Sequence, residues 1–521
     1  MKSSVSARSL GQAQPIKEDD CSDARVAPQA PALADLYRTI LGLRTDVVSA
    51  GAATMGLWKD ALQNERFRPA AENFAQYLAL RTHDLSELQP SLSAYGLSSL
   101  GRSDEHILTS LDALLVTLGR LSGLATSEYP SPRLFSDGER TLREEQGRIL
   151  GRDPEPRRTR IMVTLPSETA SDKKLVRRLL MEGTNCVRIN CAHDDPKIWA
   201  DMIGTVRSVA KGLARDCPVL MDIAGPKCRT EKVQALENKR LHRGDAFVLV
   251  ERLQDAPVNG AISATLTFPE IIGRLRVGAE VWIDDGKIGA RVVSNKSGAA
   301  RLEVFSVRAK GARLKAEKGV NFPNTDLLLP PITKDDLAAL DFVAQHADIV
   351  GFSFVQRPSD MVLLERELNS RRSGRPPQPV VLKIETRLGV ENLPELIVQG
   401  AGMRPLAVMI ARGDLAVELG FARMSEIQEE ILWLCDAAHV PVIWATQVLD
   451  QLVSEGAPTR AEATDAAMSQ RAECVMLNKG PFLVEAVAFL KDVLERMDRH
   501  QSKKSARLEP LRSWRDLAIK L

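Results

Sequence analysis

IVGFSFVQRPSDMVLLERELNSRRSGRPPQPVVLKIE, residues 349–385, decides the fold. Its two ends, IVGFSF (349–354) and VVLKIE (380–385), are short apolar runs of β type, and SDMVLLERELN between them has helical spacing. Strands that are apolar along their whole length are buried on both faces, and parallel neighbours need a crossover such as a helix. Working outward, six further runs have the same texture: RIMVTL (160–165), NCVRIN (185–190), PVLMDI (218–223), LAVMIA (406–411), PVIWAT (441–446) and CVMLN (474–478). Helical stretches follow most of them, among them DKKLVRRLLMEG, SEIQEEILWLCDAAH and LVEAVAFLKDVLERM. Eight such units predict an α/β chain, a (β/α)8 barrel spanning 157–226 and 327–500.

The gap between the third and fourth runs is far too long for a crossover helix. It holds FVLVERL, AEVWID, IGARVVS and AARLEVFSV, punctuated by RGD, DDG and SGA. This hairpin-like pattern predicts a small β-barrel domain inserted at 227–326. Upstream, LADLYRTILGLRTDVVSA places Leu33, Leu36, Ile40 and Leu43 at helical spacing, so 31–156 is read as a helical region, ending in a linker with one charged helix at 126–156. Residues 1–30 are expected to be disordered and 501–521 to form a tail.

Composition narrows the function. Lys plus Arg is 70 and Asp plus Glu 68, a net charge of +2 over 521 residues, so no nucleic-acid partner is expected. No apolar run reaches the roughly 18 residues of a membrane span, so no membrane partner is expected either. Seven cysteines without a C-x-x-C fit a reducing compartment, and a cytoplasmic location is expected.

In a (β/α)8 barrel the active site lies at the C-terminal ends of the strands. Arg188 and Asn190 end the second run, Asp222 the third, Ser353 the fourth, Lys383 and Glu385 the fifth and Thr446 the seventh; Arg412 and Asp414 follow the sixth. Alternation puts Lys383 and Glu385 on one face, and Arg188 and Asn190 likewise. Any one pair could be a structural ion pair, but a set gathered at one end of the barrel points to a site. Glu385 and Asp414 offer hard oxygens without His or Cys, which suits Mg2+ or Mn2+. Arg188 offers a planar fork for phosphate, and Lys383 a compact charge for a migrating phosphoryl group or an enolate. The backbone N–H groups of ARGDL are candidates for holding an anion. IDDGKIG is not a phosphate loop, because Ile follows its Gly-Lys.

In this order, TRIMVTLPSET, VRINCAH, LMDIAGPKCRT, VWIDDGKI, EKGVNFP, VLKIETRLGVENL, VMIARGDLAVEL, WATQVLDQL and PTRAEATDAA resemble the pyruvate kinase family, from about Thr159 to Met497. The resemblance implies phosphoryl transfer from phosphoenolpyruvate to ADP with Mg2+ or Mn2+. It implies that Lys383 neutralises the transferring group and that Glu385 and Asp414 bind the divalent metal. Gly413 and its neighbours would hold the substrate carboxylate, Thr446 would lie beside the methylene carbon and Arg188 would grip the phosphate. Asn190, Arg229 and Lys318 would reach the nucleotide as the inserted domain closes. The monovalent-cation site maps to Asn190, Ala192, Asp222 and Ile223, and Lys227 stands where potassium-dependent members carry Glu, so activity without K+ is expected. The resemblance leaves a homo-oligomer open.

Two features depart from the family pattern. After the eighth run, NKGPF (478–482) replaces a longer Ser-Gly-Glu-Thr-Ala segment. The chain also ends soon after the last barrel helix, so no activation by fructose 1,6-bisphosphate is expected. The competing readings are a Mg2+-dependent aldolase or lyase acting on a pyruvate enolate, and a weakly active barrel with a regulatory role. Elsewhere, His193, Asp194 and Asp195 read as a helix cap, Cys191 and Cys228 as packing thiols, and Arg371, Arg372 and Arg375 as a solvated charge run.

Overall fold

The computed structural model describes residues 32–124, 127–152, 157–235, 239–253, 262–296, 298–372, 374–503 and 505–506. The predicted disorder of 1–30 and most of the predicted tail lie outside the described residues. Strands run in chain order as β1 (Arg160–Thr164), β2 (Cys186–Asn190), β3 (Val219–Ile223), β4 (Thr230–Gln234), β5 (Ala246–Val250), β6 (Ile262–Leu266), β7 (Glu280–Ile283), β8 (Ile288–Lys296), β9 (Ala299–Val307), β10 (Val320–Asn321), β11 (Ile349–Phe352), β12 (Val380–Ile384), β13 (Leu406–Ala411), β14 (Val442–Ala445) and β15 (Cys474–Leu477).

All eight apolar runs are strands, and they close into a parallel barrel in the order β1-β15-β14-β13-β12-β11-β3-β2. Five of the eight strands, β1, β11, β12, β14 and β15, stop a residue or two short of their runs at the C-terminal end. Ser353, Glu385 and Thr446 therefore stand on the rim, just past β11, β12 and β14. Strands β4 to β10 form a seven-stranded, barrel-like sheet in the order β10-β7-β8-β9-β5-β6-β4, and in the expected tail the short strands Gln501–Ser502 and Ser505–Ala506 pair with each other. It has its own core, which includes Phe247, Leu249, Val281, Leu302 and Val304. At its β7–β8 turn, Asp284, Asp285 and Gly286 all take left-handed φ, at 56°, 52° and 79°.

Among the described residues five α-helices precede the barrel: α1 (Leu33–Leu57), α2 (Arg68–Leu80), α3 (Leu88–Ala94), α4 (Ile107–Ser122) and α5 (Asp137–Leu150). Leu36, Ile40 and Leu43 are buried as their spacing predicts, with Val47 completing the stripe. These helices pack on the barrel wall. Asn64 reaches Gly402 and Ala401, and the Asn73 amide bridges the carbonyls of Asp104 and Ala437 at 2.8 Å each. Gly402 is needed there, because a Cβ would strike the Ala61 carbonyl.

The predicted linker is more than a connector. Its helix α5 ends in Ile149 and Leu150, both buried among the barrel's own lining of Met162, Cys186, Leu220, Met409 and Cys474. They stopper the N-terminal end of the barrel, and burying each such side chain is worth about 1.5–3 kcal/mol. Arg371 and Arg372 also differ from the sequence reading, while Arg375 is exposed as expected. Arg371 bonds Asp341 and Glu367 at 2.7 Å each, and Arg372 reaches the Ala344 carbonyl, so they tie two barrel helices together.

Candidate active site

Strand register brings the charged residues together. Asn190 lies opposite Asp222 between β2 and β3, and Asp222 opposite Gly351 between β3 and β11. Gly351 is required here: a Cβ would come within 2.7 Å of the Asp222 carboxylate. That carboxylate is met from β12 by Lys383, whose ammonium donates to Ser353 Oγ at 2.7 Å and lies 3.1 Å from Asp222 and 3.2 Å from Glu385. Arg188 closes the other side of Asp222, with Nε donating at 2.9 Å. Asp222 is 1% exposed, Glu385 4% and Lys383 8%, so each charge depends on its neighbours.

The pKa directions follow. Burial disfavours the Asp222 charge, but Lys383 and Arg188 outweigh it and hold the carboxyl below its usual range. Burial likewise opposes the Lys383 charge, yet Asp222 and Glu385 push its pKa up. Glu385 ends on the other side: burial, with Asp414 and Asp222 nearby, overcomes the pull of Lys383 and raises it. Its Oε2 also accepts the Phe354 N–H at 2.7 Å.

Glu385 and Asp414 are close enough for Asp414 to add to burial in raising Glu385, and such a carboxylate pair suits a divalent cation. Among the described residues no three His, Cys, Asp or Glu side chains form a metal-binding group. A pair alone still fits Mg2+, which takes one or two protein carboxylates and fills its shell with water and substrate phosphate. Glu385 and Asp414 would hold it.

Beyond β13 the chain enters the helix Arg412–Leu419. Gly413 N–H is not free for an anion: it donates to Thr446 Oγ1 at 2.7 Å. Thr446, Gln447 and Leu449 all have left-handed φ, at 62°, 57° and 51°. For a β-branched Thr that conformation is strained, and such strain gathers at functional sites. Arg412 turns away from the mouth. It braces the strained turn through the Ala445 and Thr446 carbonyls, at 3.0 and 2.8 Å, and pairs with Asp465.

Lys227 departs from the expected grouping. Its ammonium bonds Asp414 Oδ2 at 2.8 Å, so it joins the carboxylate pair and is not grouped with Asn190 and Asp222. Asn190 instead accepts the Ala192 N–H with its own side chain, at 3.1 Å. Arg229 and Lys318 lie on facing strands where the inserted sheet leaves and rejoins the barrel, next to the Arg229–Gly319 bridge. Arg229 reaches the Glu317 carbonyl at 3.3 Å, and Lys318 lies 3.6 Å from Asp284.

Residues 156–487 match the family model described as the pyruvate kinase barrel domain. The chain belongs to the pyruvate kinase family. It is similar to the pyruvate kinases of Bacillus licheniformis (32% identical over 350 residues) and Geobacillus stearothermophilus (33% over 352), each match covering 66% of this chain and 57% of the relative. It is also 31% identical over 355 residues to pyruvate kinase 2 of Synechocystis, covering 58% of that protein. The chain thus spans well under two-thirds of the length of these curated relatives.

Some residues of the mouth were not singled out as site residues. Lys479 lines a cavity of about 160 Å³ with Arg188, Asn190, His193 and Asn478. Burial first and the Lys479 charge second hold the His193 imidazole below its usual range. Lys479 was visible only as part of the shortened 478–482 segment. Of the His193–Asp195 group, Asp195 alone caps a helix, accepting from Lys197 and Ile198, while Asp194 accepts from Ser167. Burial pushes the Cys228 thiol up to about 12 and Cys191 up as well, which suits packing residues.

Proposed function

We propose that this chain transfers the phosphoryl group of phosphoenolpyruvate to ADP, giving pyruvate and ATP. The observation that carries the reading is the Lys383 ammonium, held between Asp222 and Glu385 on the rim and facing the Glu385–Asp414 pair. Bound there, Mg2+ would neutralise phosphoryl oxygens and orient the substrate.

The chain's own residues supply the rest. Lys383 offers a fixed positive charge where an enolate oxygen and the migrating phosphoryl group develop negative charge, and a preoriented charge costs no reorganisation as they react. Arg188, anchored by Asp222 and by Thr164 at 3.2 Å, presents its fork to the phosphate from a cleft shared with Lys479. The substrate carboxylate would take over the Gly413 N–H from Thr446, which frees that hydroxyl beside the methylene carbon. The inserted sheet would bring Arg229 and Lys318 over the nucleotide and exclude water, the competing acceptor. Family membership favours this reaction over the aldolase reading, which has no use for such a lid.

K+ independence is part of the same proposal. With Lys227 on Asp414 Oδ2, a protein ammonium already supplies monovalent positive charge at the carboxylate pair. The test mixes purified protein with phosphoenolpyruvate, ADP and Mg2+, with and without K+, and measures pyruvate. Pyruvate at equal rates in both arms is expected. No pyruvate rejects the reaction, and a strong rise with KCl at constant ionic strength rejects K+ independence.

A further inference from the structure

The inserted sheet is joined to the barrel by two strands of chain, and both fasten to the helix Arg412–Leu419. The outgoing strand does so through Lys227 on Asp414 Oδ2. The returning strand, β10, does so through Asn321, a 7% exposed residue whose amide donates to Glu418 Oε1 at 3.2 Å and lies 3.5 Å from Asp414 Oδ1. Glu418 follows Asp414 by four residues, so one helical face presents both carboxyls to the hinge. The backbone of Phe322, just past β10, lies close enough to the same carboxyl to pull its pKa down against burial.

The hinge also reports on the sheet. Asn321 pairs with Trp282 and Val320 with Ile283, so any shift of β10 on the helix moves β7. The two hinge strands touch each other, since a Cβ on Gly319 would meet Lys227 Cε at 3.2 Å. Beside them lies a cavity of about 340 Å³ lined by Lys227, Asn321, Phe354, Arg387, Asp414 and Glu418. Close-packed interiors do not deform smoothly. A hinge over a void can shift, and its position then depends on the few polar bonds that cross it.

We propose that Glu418 is a positioning residue: through Asn321 it fixes where the returning strand sits on the metal-bearing helix, so that the lid follows Asp414. This rests on the reading of the mouth as a phosphoryl-transfer site, but the hinge can be tested without turnover. Amide hydrogen exchange would be followed in the full chain, free of metal and substrate and again with Mg2+, for wild type, Glu418→Ala, Glu418→Gln and Asn321→Ala.

Glu418→Ala and Asn321→Ala should each speed exchange in 281–283 and 319–323 about tenfold and leave the barrel strands unchanged. Glu418→Gln keeps an acceptor oxygen and should stay near wild type. The double variant should be no looser than either single one, because both break the same link. In the pyruvate assay the alanine variants should raise KM for ADP about tenfold with a smaller fall in kcat. Wild-type exchange in both alanine variants overturns the proposal, as does a fall in kcat alone with the lid unchanged. A protein that makes no pyruvate yet shows the exchange pattern keeps the hinge and loses the reaction.

Discussion

The barrel holds a largely buried lysine at each end, in different company. At the mouth Lys383 lies between Asp222 and Glu385, and the cluster continues through Arg188, Asp414 and Lys227 into an open cleft. At the base Lys503 pairs with Asp436, lies 2.9 Å from Glu473 and 3.9 Å from Glu105, and Ile149 and Leu150 stopper the barrel nearby. The mouth gathers charges from successive strand ends. The base gathers them from the N-terminal helical region, a barrel helix, the foot of β15 and the segment after the last helix. Exposure does not separate the two, since Lys503 and Glu473 also line a cavity, of about 230 Å³. Position does: the mouth charges stand at the C-terminal strand ends, where a barrel's active site lies, whereas the base charges join four separate parts of the chain.

The largest expected effect tests the mouth. Lys383→Met removes the charge placed at the developing anion, and losing such a group costs on the order of 10²–10³-fold in kcat. Arg188 still serves Asp222 in that variant, so the fold should survive. Circular dichroism should show a wild-type spectrum alongside the lost pyruvate signal. A variant that keeps its rate would remove Lys383 from the chemistry and make the two ends alike.

At the base the order reverses. Lys503→Met leaves Asp436, Glu473 and Glu105 without their common ammonium, and breaking a buried pair typically costs about 3–5 kcal/mol. A chemical-denaturation midpoint should fall accordingly, while kcat at 25 °C stays within about twofold of wild type. A drop in kcat without a drop in stability would mean that the base acts on the mouth.

The sequence made the mouth legible and left the base obscure, for a physical reason. Rim residues repeat a position, the end of a parallel strand, so Lys383, Glu385, Asp222 and Arg188 could be placed by counting along apolar runs. Lys227 was misgrouped because its bond to Asp414 spans the inserted sheet, and register carries no information across a hinge. Gly413 illustrates a second limit: its N–H is present where expected but is taken by Thr446, a bond that depends on the strained turn at 446–449. At the base, Glu105, Asp436, Glu473 and Lys503 share neither spacing nor motif and meet only through tertiary packing. The stopper at Ile149 and Leu150 was equally hidden, since two apolar residues closing a charged helix read as an ordinary helix end.

The smallest effect separates the two ends by pH. Burial, the largest cause, with Glu473 and Glu105, pushes the Asp436 carboxyl up to about 7 against the pull of Lys503. The unfolded chain releases that proton near pH 3.9, so the folded form binds one proton more between those values. Its stabilising contribution is complete below the lower value and is lost as pH rises through about 7. His439, whose Nε2 meets the Glu105 carbonyl at 3.1 Å, is held down to about 4 by burial and works the other way. Unfolded histidine takes up a proton below about 6.5, so stability falls as pH drops below that point and offsets Asp436 there. Above about 6.5 the opposing histidine has no further effect, and the Asp436 trend remains at the base, with the same sign as that of Glu105, whose carboxyl burial also raises. Glu418 at the mouth, raised to about 7 by burial, has the same sign. Stability should therefore decline as pH rises from about 6.5 and level off above about 7, with a slope of less than about 1.4 kcal/mol per pH unit for each proton. Asp436→Asn should remove about half of that decline and Glu418→Gln about as much. If Asp436→Asn leaves the slope intact, the titrating proton belongs to the mouth, and the base is a fixed clasp with no pH response.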